Sequence, residues 1–212
     1  MQITPVYPPN IGWLEVKLDD FQIKHLHKCI DQSIRDHKEN LAGNINNSQL
    51  IPDIDDWFYN NVLVNCCIEY SNKFRNLGQK QPNNQDHPYF LDTMWVNYQK
   101  ETEFNPTHFH SGIYSFVIWI KIPTDYEEQK KLDIARSTST AISNFSFYYT
   151  NILGEGVTFT YPMSPKMEGT MVFFPSKLYH QVFPFYNCKD DRISISGNIL
   201  IDTRRVLNDE KI

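Results

Sequence analysis

Apolar residues recur at helical spacing early in the chain and alternate with polar ones later. Phe21, Ile23, Leu26, Ile30 and Ile34 fall near a 3.6-residue period, and Asp19 or Asp20 places a carboxylate at the start, where the helix dipole favours it. A second helix is predicted from near Asp55 and Asp56 to near Gly78. Its apolar residues, among them Trp57, Phe58, Val62, Cys66, Tyr70 and Phe74, cover more than one face, as in a helix laid on a sheet and partly covered on its far side. Between the two helices, Leu41–Gln49 is rich in Gly and Asn, a loop that either folds over something or only connects.

Beyond the polar loop 79–88 the pattern changes to short alternating runs. Candidate strands are 91–99, 106–110, 113–122, 144–150, 156–161, 169–175, 179–184 and 191–201. About eight strands at short intervals suggest a sandwich or barrel. Helix signals that precede the strands, instead of alternating with them, argue against a parallel α/β sheet. Residues 124–143 are charged, then Ser/Thr-rich, and longer than a hairpin loop. Such a loop is a lid or a plain surface excursion.

Composition narrows the class. With 212 residues, 41% hydrophobic and 21% charged, the chain can bury a core, and one domain over 1–212 is expected: a helical support over 1–88 and the strands over 89–202. Aromatics at 14% favour sheet. The net charge of −5, without a basic block, removes the long-range attraction that nucleic acids and anionic membranes exploit. The longest apolar run, around Phe116–Ile120, is too short to span a bilayer, and MQITPVYPPN lacks the charged and apolar regions of a signal peptide. Cys29, Cys66, Cys67 and Cys188 match no zinc motif and read as reduced cysteines of a cytoplasmic protein, with Cys66 and Cys67 as packing residues. His25, His27 and His37 read as solvated histidines on or beside the first helix, and His87 as a loop residue.

The informative segment is Asn105-Pro-Thr-His108-Phe-His110-Ser111. On a strand, His108 and His110 share one face, a good arrangement for Fe, Zn, Cu or Ni, although such a pair is also a common surface accident. Downstream, GTMVFFPS (169–176) ends a strand and His180 opens the next. Alternation then puts Arg192, Ser194, Ser196 and Asn198 on one face, with Ile193 and Ile195 on the other. A buried guanidinium needs an anion, and its fork suits a carboxylate.

In this order and spacing, WVNYQ (95–99), NPTHFH (105–110), SFVIWIKIP (115–123), EGTMVFFPS (168–176), His180 and RISISGN (192–198) resemble the Fe(II)/2-oxoglutarate-dependent oxygenases. The likeness is closest to their small, prolyl-hydroxylase-like branch found in marine bacteria and phages, which would put the protein in a host cytoplasm if phage-encoded. The resemblance implies a double-stranded β-helix, a jelly roll in the mainly β (α+β) class, with the N-terminal helices packed outside. It implies iron held by His108, His110 and His180. It further implies 2-oxoglutarate with its far carboxylate on Arg192, helped by Ser194, in a pocket that Asn97, Gln99, Ser115 and Trp119 would line; for Trp119 the alternative is core packing. Two positions depart from the broad family. His110 stands where most members have Asp or Glu, so the metal would keep one more net positive charge, although the nearer branch also tends to have His here; the alternative is an unligated residue. Thr102 stands where Gly often makes the turn before the HxH strand.

The implied activity is hydroxylation of an unactivated C–H bond with Fe(II), 2-oxoglutarate and O2, giving succinate and CO2. The substrate would be a prolyl residue or another peptide or small molecule, and a nucleic-acid or membrane partner is not expected. Two alternatives stay open: a three-histidine cupin-type dioxygenase that needs no 2-oxoglutarate, and a jelly-roll binding module without catalysis.

Overall fold

The short alternating runs after residue 89 fold into two antiparallel sheets, the double-stranded β-helix that the family resemblance implies. The computed structural model describes residues 4–5, 10–74, 89–139 and 141–202. The polar loop 79–88 with His87, and the predicted helix end near Gly78, lie outside these residues.

The first part of the chain forms β1 (Leu14–Lys17), α1 (Asp20–Asp31), β2 (Arg35–Asp36), β3 (Asn47–Leu50) and α2 (Val64–Lys73), the last preceded by a wider-wound turn over Tyr59–Leu63. Asp19 caps α1: its Oδ1 accepts from the Gln22 backbone at 2.8 Å, while the Gln22 side chain accepts from the Asp19 N–H at 2.9 Å. The helix stops at Asp31, short of the predicted Ile34. Beyond it the Ile34 N–H donates to the Leu50 carbonyl at 2.8 Å and Arg35–Asp36 pair with Gln49–Leu50, so sheet pairing claims the chain. The first 88 residues are therefore not purely helical, since three short strands extend the main sheet at its two edges.

The barrel strands are β4 (Tyr89–Gln99), β5 (Asn105–His108), β6 (Tyr114–Lys121), β7 (Asn144–Thr150), β8 (Gly156–Pro162), β9 (Thr170–Pro175), β10 (Tyr179–Val182) and β11 (Arg192–Ile201). They form a seven-stranded sheet, β1-β9-β6-β11-β4-β3-β2, facing a four-stranded sheet, β5-β10-β7-β8, with every pairing antiparallel.

The larger sheet is buried on both faces, which explains its near-continuous apolar runs. Met94, Val96, Phe116, Ile118, Met171, Phe173 and Ile195 face outward against Leu26, Phe58, Leu63, Cys66, Cys67 and Tyr70 of the helical layer. Their neighbours Val117, Trp119, Val172 and Phe174 face inward against Phe145, Phe147 and Tyr161 of the smaller sheet. The aromatic surplus is spent largely on these two clusters. Gly197 is required in β11, because a Cβ there would meet the Phe116 ring at 2.6 Å and the Thr93 carbonyl at 2.7 Å.

The 124–143 stretch carries a short helix, α3 (Tyr126–Gln129), whose Gln129 side chain bonds both backbone groups of Tyr186, at 2.8 and 2.9 Å. Among the described residues no helix is long and apolar enough to cross a membrane.

Candidate active site

Inward alternation on β4, β6 and β11 leads into one cavity of about 420 Å³ between the sheets. Arg192 lies opposite Gln99, and Ser194 opposite Asn97 on one side and Trp119 on the other. On the facing sheet, His180 of β10 lies opposite His108 of β5. His110 follows β5, its backbone N–H bonded to the Ser176 carbonyl at 2.8 Å. All eight of these residues line the cavity.

The three imidazoles converge. Their ring centres are 4.3 to 5.0 Å apart, and one ligand nitrogen of each lies within 4.8 Å of the others. His108 Nδ1 donates to the Pro106 carbonyl at 2.7 Å and His180 Nδ1 to the Leu178 carbonyl at 3.0 Å. A carbonyl only accepts, so each of these rings holds its proton on Nδ1 and leaves Nε2 as a bare lone pair. His110 Nε2 lies 3.2 Å from His180 Nε2. Burial pushes the pKa of all three below the ordinary histidine value. The neighbouring His108 adds to this for His110, which falls to about 4, and both other rings add to it for His180. Neutral, converging imidazoles suit a borderline divalent metal such as Fe(II).

Arg192 is only 2% exposed. Its Nη2 donates to Ser143 Oγ at 2.9 Å, and its Nη1 lies 3.4 Å from both Gln99 Oε1 and the Phe183 carbonyl. The guanidinium sits 4.8 Å over the Phe185 ring, and Nε is buried without a partner. Among the described residues no carboxylate pairs with it. Burial pushes its pKa down to about 9. A buried cation with an unused donor calls for an anion, and a dicarboxylate such as 2-oxoglutarate fits that demand.

The other predicted pocket residues divide. Asn97 lines the cavity and accepts from Ser48 Oγ at 2.7 Å through Oδ1. Gln99 commits its amide nitrogen to the Glu103 carbonyl at 2.6 Å and presents Oε1 to Arg192, so it orients the guanidinium. Trp119 lines the cavity and also packs on Phe145 and Tyr161. Ser115 is a correction: it is buried in the wall with its hydroxyl bonded to Asn198 Oδ1 at 2.8 Å, and it is not among the lining residues.

Other lining residues carried no local signal. The 41–49 stretch folds over the cavity, with Leu41, Ala42, Gly43, Ile45 and Ser48 in its wall. His37 is not solvated but buried in that wall, 5.8 Å from the Trp95 ring, which in turn lies 5.8 Å from His110. Glu103 pins this cover: Oε1 accepts from the Asn46 backbone and side chain at 3.1 and 2.6 Å, and Oε2 from Lys100 N–H at 2.9 Å. Thr102 holds φ at +70°, the left-handed conformation that glycine adopts freely, so a β-branched residue occupies a glycine-like turn ahead of the histidine strand. None of the described residues of 124–142 lines the cavity, and Ser143 at the end of that stretch reaches Arg192 from behind.

The family profile described as “Putative 2OG-Fe(II) oxygenase” matches residues 93–198, half of the chain. No curated protein matches the sequence. Among solved structures, a 2OG-Fe(II) oxygenase family oxidoreductase from Burkholderia pseudomallei is similar at a TM-score of 0.53 and 11% identity, over 89% of this chain and 84% of that one. A Pseudomonas putida prolyl-4-hydroxylase is similar at 0.52 and 14%, over 90% and 93%. A Trichoplax adhaerens prolyl hydroxylase, solved with a hypoxia inducible factor peptide fragment, is similar at 0.53 and 12%, over 92% and 86%. At such identities these neighbours establish the shared double-stranded β-helix, and the profile match supplies the rest: the chain belongs to the 2OG-Fe(II) oxygenase family, whose cofactors, Fe(II) and 2-oxoglutarate, fit the imidazoles and the unpaired guanidinium of this cavity.

Proposed function

We propose that the protein hydroxylates an unactivated C–H bond of a peptide or small-molecule substrate, with succinate and CO2 formed from 2-oxoglutarate. The observation that carries this reading is Arg192, a buried guanidinium without a carboxylate partner that shares one cavity with three neutral imidazoles. A cupin-type dioxygenase without a dicarboxylate cosubstrate has no use for that cation.

In this reading His108, His110 and His180 hold the metal. The backbone carbonyls of Pro106 and Leu178 fix two of the rings as Nε2 donors. Arg192 grips the far carboxylate of the cosubstrate, with Ser194 beside it, while Gln99 and Ser143 hold the guanidinium. The Asn97 amide and the Trp119 ring form the pocket wall. When bound, Fe(II) and 2-oxoglutarate with O2 supply the oxidising power for hydroxylation, one oxygen atom entering the substrate and one the succinate. Because all three ligands are neutral, the metal and the cosubstrate dianion together carry no net charge.

The substrate enters where the 41–46 stretch, His37 and Trp95 wall the cavity. Arg192 is the one Asp, Glu, Lys or Arg among the lining residues, so an uncharged group suits this mouth. A prolyl residue in a peptide is the first substrate to test, by analogy with two proteins of the same fold.

The test is anaerobic addition of Fe(II) and 2-oxoglutarate to the purified protein, followed by O2 with candidate peptides. The expected result is a metal-to-ligand charge-transfer band and substrate-dependent succinate. Absence of the band, with no succinate from any substrate, overturns the reading.

A further inference from the structure

Away from the cavity, a second set of metal-ligating side chains converges. His25 and Cys29 stand four residues apart on α1 and so share one face. Asp53, ahead of the second helical segment, meets them, and the three potential ligand atoms all lie within 4.8 Å of one another. Cys29 is fully buried, and the side chains of His25 and Asp53 are 13% and 5% exposed.

Ordinary contacts account for Asp53 and Cys29 but leave the buried His25 nitrogen unexplained. His25 Nε2 is buried without a hydrogen-bond partner, yet it lies 3.6 Å from Asp53 Oδ1, beyond hydrogen-bond reach. That separation is close to the edge of a ligand tetrahedron, about 3.3 Å for nitrogen and oxygen held some 2.0 to 2.1 Å from a central zinc. The carboxylate is oriented, its two oxygens accepting the Phe58 and Tyr59 N–H groups at 2.9 and 2.7 Å. Burial and the nearby Asp53 carboxylate hold the Cys29 thiol above its ordinary pKa, with the Ile54 N–H acting against them, so a metal ion would have to displace the thiol proton; the Trp57 ring lies against the imidazole at 4.6 Å.

We propose that His25, Cys29 and Asp53 form a second, structural metal site for a divalent cation of the zinc type, clamping α1 to the segment that opens the second helix. A neutral imidazole, a thiolate and a carboxylate sum to −2, so a divalent ion makes the buried cluster neutral. The partly exposed edge of His25 is the way in, with water completing the coordination shell. Because the site joins one cysteine to residues remote in sequence, no Cys–Cys spacing announces it.

The experiment is cobalt(II) titration of the chelator-stripped full chain, read by near-ultraviolet absorption and metal stoichiometry. Only a sulfur ligand gives the thiolate-to-cobalt charge-transfer band, and the three-histidine centre contains none. The expected result is that band, with two equivalents of metal bound, and its loss in both Cys29→Ser and His25→Ala but not in Cys188→Ser. Removal of His25 should weaken this second equivalent by more than the roughly tenfold to hundredfold that loss of a supporting contact costs. Zinc should also raise the melting temperature of Cys188→Ser by more than that of His25→Ala, which keeps only the three-histidine centre. His25→Ala, which removes a partly exposed side chain, keeps the test valid if Cys29→Ser fails to fold. A single equivalent without a thiolate band, or a band that survives in either site variant, overturns the proposal. The thiolate band itself does not depend on whether the three-histidine centre works as read, because that centre contains no sulfur.

Discussion

His110 and His180 face each other through Nε2 at 3.2 Å, and because His180 donates from Nδ1 to Leu178, the proton between them belongs to His110. A metal that takes both lone pairs needs that proton to move to His110 Nδ1. Substitution of His108 or His180 by Ala should therefore lower Fe(II) affinity by at least about tenfold, measured by competition with a chromophoric chelator. His110→Asp should keep binding, because it restores an anionic ligand, while His110→Ala should weaken it. Equal affinity in all four proteins would remove these rings from the metal.

Arg192→Ala should weaken 2-oxoglutarate binding by about 2–5 kcal/mol, the usual cost of deleting one partner of a buried charge pair. Arg192→Lys should fall between, since an ammonium keeps the charge but not the fork. Calorimetry on the iron-loaded protein under anaerobic conditions measures both. Unchanged affinity in Arg192→Ala would favour the three-histidine cupin-type alternative.

Thr102 holds a β-branched side chain at φ +70°. Relief of that strain in Thr102→Gly should add about 1 kcal/mol of stability and raise the melting temperature by roughly 2–4 °C. A drop in melting temperature would show that the Thr102 side chain supports the turn.

Gly197→Ala has the opposite sign. Its Cβ would strike the Phe116 ring and the Thr93 carbonyl, and the second contact is backbone that cannot rotate away. The expected cost is about 1–3 kcal/mol in chemical denaturation. A neutral result would mean that β11 shifts easily.

Burial pushes Cys66 from 9.0 up to about 12, and Cys67 further in the same direction. A raised thiol pKa makes stability fall as pH rises, because the unfolded chain ionises first. Stability should therefore decline from about pH 9 toward 12. At pH 8 a thiol reagent should label the partly exposed Cys188 rapidly and the other cysteines only on unfolding. Rapid labelling of Cys66 or Cys67 in the native protein would contradict their burial.

The strands of the barrel were legible because β4, β6, β9 and β11 alternate between a helix-facing and a cavity-facing row, so Ile193 and Ile195 part from Arg192 and Ser194 without ambiguity. The short strands were not: Arg35–Asp36 and Asn47–Leu50 are largely polar and are held by partners found only after folding. His25 and His37 were misread for the same reason, since Trp57 and Trp95 cover them from other segments. Ser143 reaches Arg192 across 49 residues, a contact without any local signature.

The Glu103 carboxylate reaches the cavity cover at Asn46 and the turn ahead of the histidine strand at Lys100. With Asn44 N–H also donating to the Phe104 carbonyl at 2.8 Å, cover and turn are tied together at three points. A movement of this cover would pull on the turn that leads into β5, so in the proposed reading a change of shape at the mouth would be felt at His108.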